Sequence, residues 1–324
     1  MQIFKSPNYN FVRWRWHALV LSLAVILAGL GSIWSRGLPL GVEFAGGTIV
    51  IVKFEQMPRI EQVRSALSVI PGGANAIVQQ YGQAAAREVM IRMSEVGAEA
   101  GGELSRTADA VADALGKSDL GSFKVVGTEI IGPIVGEQLK QQGTLATILA
   151  LTGILVYIAI RFQLSFAVGA VVATIHDLLV TLTFLVLFNY DLSLNVIAAM
   201  LTITGYSVND TIVVFDRVRE NMRSMRRDNL EHIVNVAVNQ TLARTVITAG
   251  TSLLAVLSLF LFGGEVLKGF AFTMLVGVIA GTYSTVFIAA AIAIMWQGRR
   301  PIKGQVAPST GAPATRRAGR RRAS

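Results

Sequence analysis

Cysteine is absent from the 324 residues, and charged residues make up only 15% of them. The first absence excludes a disulfide framework, a thiolate metal site and a cysteine nucleophile. The second sets the chain apart from soluble domains, in which about 25% of residues are charged. Three histidines do not make a metal cluster. No Walker-type phosphate loop is present, so the chain is not itself an ATPase. His-Glu-x-x-His and Gly-x-Ser-x-Gly are missing too, and no nucleophile–base arrangement is visible. The expectation is therefore a protein that is not an ordinary enzyme and holds no metal or organic cofactor.

What is abundant is apolar. Hydrophobic residues reach 52%, and the mean hydropathy is +0.55. So much apolar surface needs a lipid phase to receive it. A membrane span takes roughly 17–25 mainly apolar residues. Six such runs lie at 17–35, 143–161, 165–187, 194–215, 245–263 and 269–296. The first follows Lys5, Arg13 and Arg15 and could imitate a signal peptide. It is longer than a cleaved h-region and ends without a small-residue cleavage site, so it reads as an uncleaved span.

Lys and Arg near span ends set orientation. They cluster at the N-terminus (1–16), after span four (Arg217, Arg219, Arg223, Arg226, Arg227) and in the tail 299–324. Six spans put all three on one side, the cytoplasm, with both termini inside. The segment 217–243 reads as a cytoplasmic amphipathic loop within the five-span domain 143–298. The tail, rich in Pro, Ala, Gly, Ser and Arg, reads as disordered.

Residues 36–142 are soluble in character and fall on the outer, periplasmic side. Thr48–Phe54, Ala76–Tyr81, Glu88–Met93 and Ser122–Ile130 have strand character. Helical spacing appears at Ile60, Val63, Leu67 and Ile70, and again at Leu104, Ala108, Val111 and Leu115. The order β-α-β-β-α-β fits a ferredoxin-like α+β module, punctuated by Gly72-Gly73 and Gly101-Gly102.

Charges inside lipid are costly, so each one demands a reason. Span three carries His176-Asp177 near its middle. On span four, Thr202, Tyr206 and Asp210 share a helix face, with Gly205 and Asn209 beside them. Span five opens on Arg244, followed by Thr245, Thr248, Thr251 and Ser252. The expectation is a buried polar seam built from His176, Asp177, Asp210 and Arg244, in which Asp210 meets Arg244 and changes protonation as its partner moves. Gly277 and Gly281 permit close helix approach in span six.

These residues carry a family resemblance. Gly205-Tyr206-Ser207-Val208-Asn209-Asp210-Thr211, running into Phe215-Asp216-Arg217-Val218-Arg219-Glu220-Asn221, resembles the most distinctive motif of the SecF family. Gly41-Val42-Glu43-Phe44-Ala45-Gly46-Gly47-Thr48 resembles its motif after the first span, with Glu43 where Asp is usual. His176-Asp177, Arg244-Thr245 and Gly281-Thr282-Tyr283-Ser284 fall in family order, and Ala249 stands where Ser is usual. The resemblance implies an RND-type membrane fold, six transmembrane helices in all, in the bacterial inner membrane. It implies SecD, the SecYEG channel, YajC, the translocating preprotein and membrane lipids as partners, and no specific nucleic acid. It also implies use of the proton-motive force to draw preproteins outward after the SecA step, with protons, or sodium in their place, as coupling ion. By position, Asp210 and Arg244 match the family's proton-path carboxylate and its arginine partner. Two other readings compete: a small-molecule efflux transporter of the RND class, and a purely structural translocon subunit.

Overall fold

A mainly apolar stretch rich in Leu, Ala, Val and Ile makes helix α1, Arg15–Arg36. In lipid a helix is favoured because it satisfies its own backbone polar groups. It stops at Gly37, whose φ of 78° continues no helix and whose N–H closes on the Ile33 carbonyl. The structure, a computed structural model, describes residues 7–81, 86–93, 103–161 and 164–297. The tail 299–324 and Gly101-Gly102 lie outside the described residues.

After α1 the chain makes one turn of helix, α2 (Val42–Ala45), and enters a small α+β unit. Its elements are β1 (Gly47–Phe54), α3 (Ile60–Leu67), β2 (Ile77–Tyr81), β3 (Glu88–Met93), α4 (Glu103–Gly116) and β4 (Phe123–Ile131). The sheet order is β2-β3-β1-β4, and every neighbouring pair is antiparallel. Val50 faces Ile91 on one side and Thr128 on the other. Alternation places Val50, Val52 and Phe54 of β1 on one face with Val89, Ile91 and Met93 of β3. Val63 and Leu67 of α3 cover that face together with Val111 and Leu115 of α4. Fully burying such a side chain stabilises by about 1.5–3 kcal/mol, so this unit carries its own core.

The membrane part consists of α5 (Pro133–Arg161), α6 (Leu164–Leu187), α7 (Leu194–Ser224), α8 (Leu230–Phe262) and α9 (Gly264–Ser284). A π-helical turn, Thr285–Ala289, joins α9 to α10 (Ala290–Gln297). With α1, six helices are long and apolar enough to cross a membrane. Helices α6, α7 and α9 form the inner layer, and α7 packs on both α8 and α9. Helices α1, α5 and α8 turn apolar faces outward, including Leu149 and Ile160 on α5 and Leu254 and Leu261 on α8.

Two sequence expectations change here. The segment 217–243 is not a loop. Helix α7 runs on to Ser224, α8 begins at Leu230, and only 225–229 turn the chain. Arg, Glu and Asn in this stretch are compatible with helix, and the break comes where Asn229 caps α8 by accepting the His232 N–H at 2.8 Å. At 31 and 33 residues these helices are about 47 and 50 Å long, well beyond the ~30 Å hydrocarbon layer. Likewise α5 starts at Pro133, so the last ten residues assigned to the α+β segment (133–142) are already part of a helix that continues into the span.

The α+β unit and the segment that leads into it are both tied to the α6–α7 turn. The Gly41 N–H donates to the Leu192 carbonyl at 2.9 Å, and the Leu192 N–H donates to the Pro39 carbonyl at 2.7 Å. Beside them Arg92 of β3 forms an ion pair with Asp191 in the α6–α7 turn. Both side chains are mostly shielded from solvent, which raises the value of the pair above that of an exposed one. Arg92→Ala should therefore destabilise by about 1 kcal/mol, with a double-mutant cycle against Asp191→Ala showing coupling of similar size. Additive single effects would show that the pair contributes nothing.

Candidate ion-coupling site

One turn of α7 carries three buried polar groups of the bundle. Ser207, Asp210 and Thr211 lie within five residues and point at three different neighbours. Ser207 donates to Asp177 Oδ2 at 2.5 Å, and Ser284 of α9 donates to the same oxygen at 2.8 Å. His176 Nδ1 meets Asp177 Oδ1 at 2.9 Å. The Asp177 carboxylate, 1% exposed, is thus held by three donors from three helices. Thr211 and Thr285 pair at 3.0 Å, with Thr285 opening the π-helical turn. That extra-residue turn lets the consecutive residues Ser284 and Thr285 both face inward.

Asp210 looks the other way, toward α8. Thr245 donates to its Oδ1 at 3.0 Å. Its Oδ2 is buried and has no hydrogen-bond partner among the described residues. Tyr206, one turn earlier, is hydrogen-bonded to Ser252. Arg244 lies on the exposed side of α8, close enough to act on Asp210 through its charge. The expected contact between Asp210 and Arg244 is not made, since no ion pair joins them within 4.0 Å among the described residues. Residue 245 faces α7 and residue 244 is rotated about 100° away from it, so Thr245 takes the place next to the carboxylate.

The single seam read from the sequence is therefore two clusters sharing one helix turn. His176 and Asp177 belong with Ser207 and Ser284. Asp210 and Tyr206 belong with Thr245 and Ser252. Asn209 is exposed on the outer side of α7, together with Thr202 and Gly205. Thr211 and Ser284 entered the sequence reading only as members of the family motifs, and Thr285 did not enter it at all. Ser and Thr in apolar helices are common packing residues, and only the depth of burial marks these three.

The glycines explain how the helices come close enough. A Cβ on Gly277 would collide with the Ile203 side chain, and one on Gly281 would lie 3.0 Å from Ser207 Cβ. Gly277→Val should push α9 off α7 and cost about 1–3 kcal/mol, read as a lowered unfolding temperature in detergent. An unchanged melt would show that Ile203 yields freely.

The glycine-rich segment after α1 sits apart from both clusters. Gly46 and Gly47 adopt φ of 72° and 132°, which favour glycine. A Cβ on Gly41 would strike the Glu43 carboxylate. Phe44 is buried, and α2 packs against α5, where Gly136 leaves space for the Gly46 backbone. Glu43 and its neighbours thus form a knuckle between α1, α5 and the α6–α7 turn.

The family model described as the C-terminal part of the protein export membrane proteins SecD and SecF matches residues 110–299. A second, for the SecD/SecF GG motif, matches residues 31–56. A protein translocase subunit SecF of Koribacter versatilis is 36% identical over 97% of this chain and 98% of its own. This chain belongs to the SecF family. The SecF of Pseudomonas aeruginosa is 41% identical, covering 90% of this chain and 92% of the relative. Among solved structures, SecDF from Thermus thermophilus, a translocon-associated membrane protein, superposes with a TM-score of 0.78 at 32% identity. It matches 90% of this chain, which in turn spans 39% of that longer protein. Membership settles the choice against small-molecule efflux, and the chain is a multi-pass membrane protein.

Proposed function

We infer that this chain, as the SecF subunit of the Sec translocase accessory complex, works with SecD and converts ion flow across the bacterial inner membrane into outward movement of preproteins. One observation carries the coupling part of the reading. Asp210 is a buried carboxylate on an inner helix, and its Oδ2 lacks a donor. That oxygen is where a proton can be added and removed without dismantling the helix contacts, because Oδ1 keeps the Thr245 bond. Arg244, nearby but unbound to it, is placed to compensate the charge when the proton leaves. One elementary charge crossing 100 mV is worth about 2.3 kcal/mol. The function requires no covalent step and no organic cofactor. The proton is the coupling ion, with sodium as the rival, since threonine and serine hydroxyls stand near Asp210.

The strand order and element sequence support a ferredoxin-like module on the periplasmic side, with both termini cytoplasmic. Docking to SecYEG and YajC, and contact with preprotein, belong to the same proposal, and family membership supports them. The test uses inverted vesicles containing SecYEG, SecD and this chain, with SecA and ATP outside. Preprotein import should rise with an imposed proton gradient and fall to the ATP-only level with a protonophore. Equal import in both conditions removes the coupling reading, and a response to sodium alone reassigns the ion.

A further inference from the structure

Where α1 enters the membrane, its first turn meets the first turn of α8 around a polar cavity of about 410 Å³. Its walls include Arg13, Arg15, Trp16, Asn229, Glu231 and His232. The N-terminal strand of chain is fixed there by its backbone: the Tyr9 N–H donates to Asn239 at 2.8 Å and the Phe11 N–H to Asn235 at 2.9 Å. Arg15 is held by Glu231 at 2.6 Å. That leaves Arg13, which forms no ion pair among the described residues, and the remaining guanidinium donors of Arg15. The His232 ring and the Asn229 amide add two further polar groups. Two arginines against one glutamate give the lining a net charge of +1, and the positive end of the α8 dipole adds to it.

The level of this cavity decides what it meets. Helix α1 is 22 residues long, about 33 Å, which just spans the hydrocarbon layer. Its first turn is therefore at the headgroups. Trp14 and Trp16 are 61% and 58% exposed there, as expected of interfacial aromatic anchors. A donor-rich, positively charged recess at headgroup depth, flanked by indoles that reach the acyl boundary, matches a phosphodiester attached to two chains. We propose that this cavity is a binding site for the headgroup of an anionic phospholipid, with Arg13 and His232 on the phosphate and Trp16 against the glycerol and upper acyl region. The site goes beyond the export reading and does not depend on it.

The chain reports on this site by its own fluorescence. Trp34→Phe with Trp296→Phe leaves only Trp14 and Trp16 of the four tryptophans. This variant is reconstituted in phosphatidylcholine bilayers containing increasing fractions of acyl-brominated phosphatidylglycerol or acyl-brominated phosphatidylcholine. Half-maximal quenching should need roughly fivefold less of the brominated anionic lipid, the preference given by about one basic side chain at a membrane surface. Arg13→Gln with His232→Gln, checked for an unchanged melt, should abolish the difference. Equal quenching by both lipids, or a preference that survives the double substitution, overturns the proposal. A further arm adds inorganic phosphate at constant ionic strength. Loss of the preference there means that free phosphate, not lipid, is the occupant.

Discussion

Asp210→Asn should leave the protein folded and assembled while removing the part of preprotein import that responds to the proton gradient. The substitution is nearly isosteric. Asn keeps an acceptor oxygen for Thr245, so the 3.0 Å bond that ties α7 to α8 survives. What disappears is the oxygen that can carry a proton, now replaced by an amide. One proton moving through 100 mV can bias a step by at most about 50-fold, which sets the scale of the loss. In inverted vesicles the ATP-driven rate should persist and the gradient-driven increment should vanish. Arg244→Gln should act on the same increment, because the arginine compensates the charge without holding the fold. If Asp210→Asn vesicles still respond fully to the gradient, Asp210 is only a packing acceptor and the subunit's role is structural.

Asp177→Ala should do the opposite and damage the fold. Its carboxylate receives bonds from Ser207, Ser284 and His176 on three helices. Removing it strands donors deep inside the helix bundle. Ser284 has a second acceptor, the Gly281 carbonyl at 3.1 Å, and so loses little. Ser207 and the His176 Nδ1 edge carry the cost, each at about 1–3 kcal/mol. The expected total is about 2–6 kcal/mol, seen as a lower melting temperature and less folded protein in detergent. Asp177→Asn should recover more than half of it, since the amide oxygen still accepts. A melt of Asp177→Ala within a degree of the parent would mean that the cluster relaxes around the gap.

The contrast between these two aspartates shows where the sequence was legible. Rarity marks both: a carboxylate in an apolar helix stands out on any reading. The SecF-like motif around Asp210 and the β-α-β-β-α-β order were equally plain, because β-branched alternation and helical spacing are local signals. The partners were not. Helical periodicity places Arg244 and Thr245 next to each other, and only the rotation of α8 against α7 decides which of them faces Asp210. The inward pairing of Ser284, known only as a motif residue, with Thr285 was invisible for a related reason. On a regular helix two consecutive residues diverge by about 100°, and nothing in Ser-Thr-Val-Phe announces the π-helical turn that brings both inward. The helical character of 217–243 was missed because polar composition was read as loop. Charge there reflects solvent, not the absence of hydrogen-bonded backbone.

The α+β unit enters from α1 by a segment bonded to the Leu192 backbone, leaves through α5 and is pinned a third time at the α6–α7 turn by Arg92 on Asp191. A body mounted at three points has no free hinge. It swings only if one mount lets go, or if it carries that turn along. The turn is the root of α7, and Asp210 lies 16 residues from Leu194, about 24 Å down the same unbroken rod. Leverage applied outside the membrane thus arrives at the carboxylate as a push or twist along a single shaft, and a change at the carboxylate travels back by the same route.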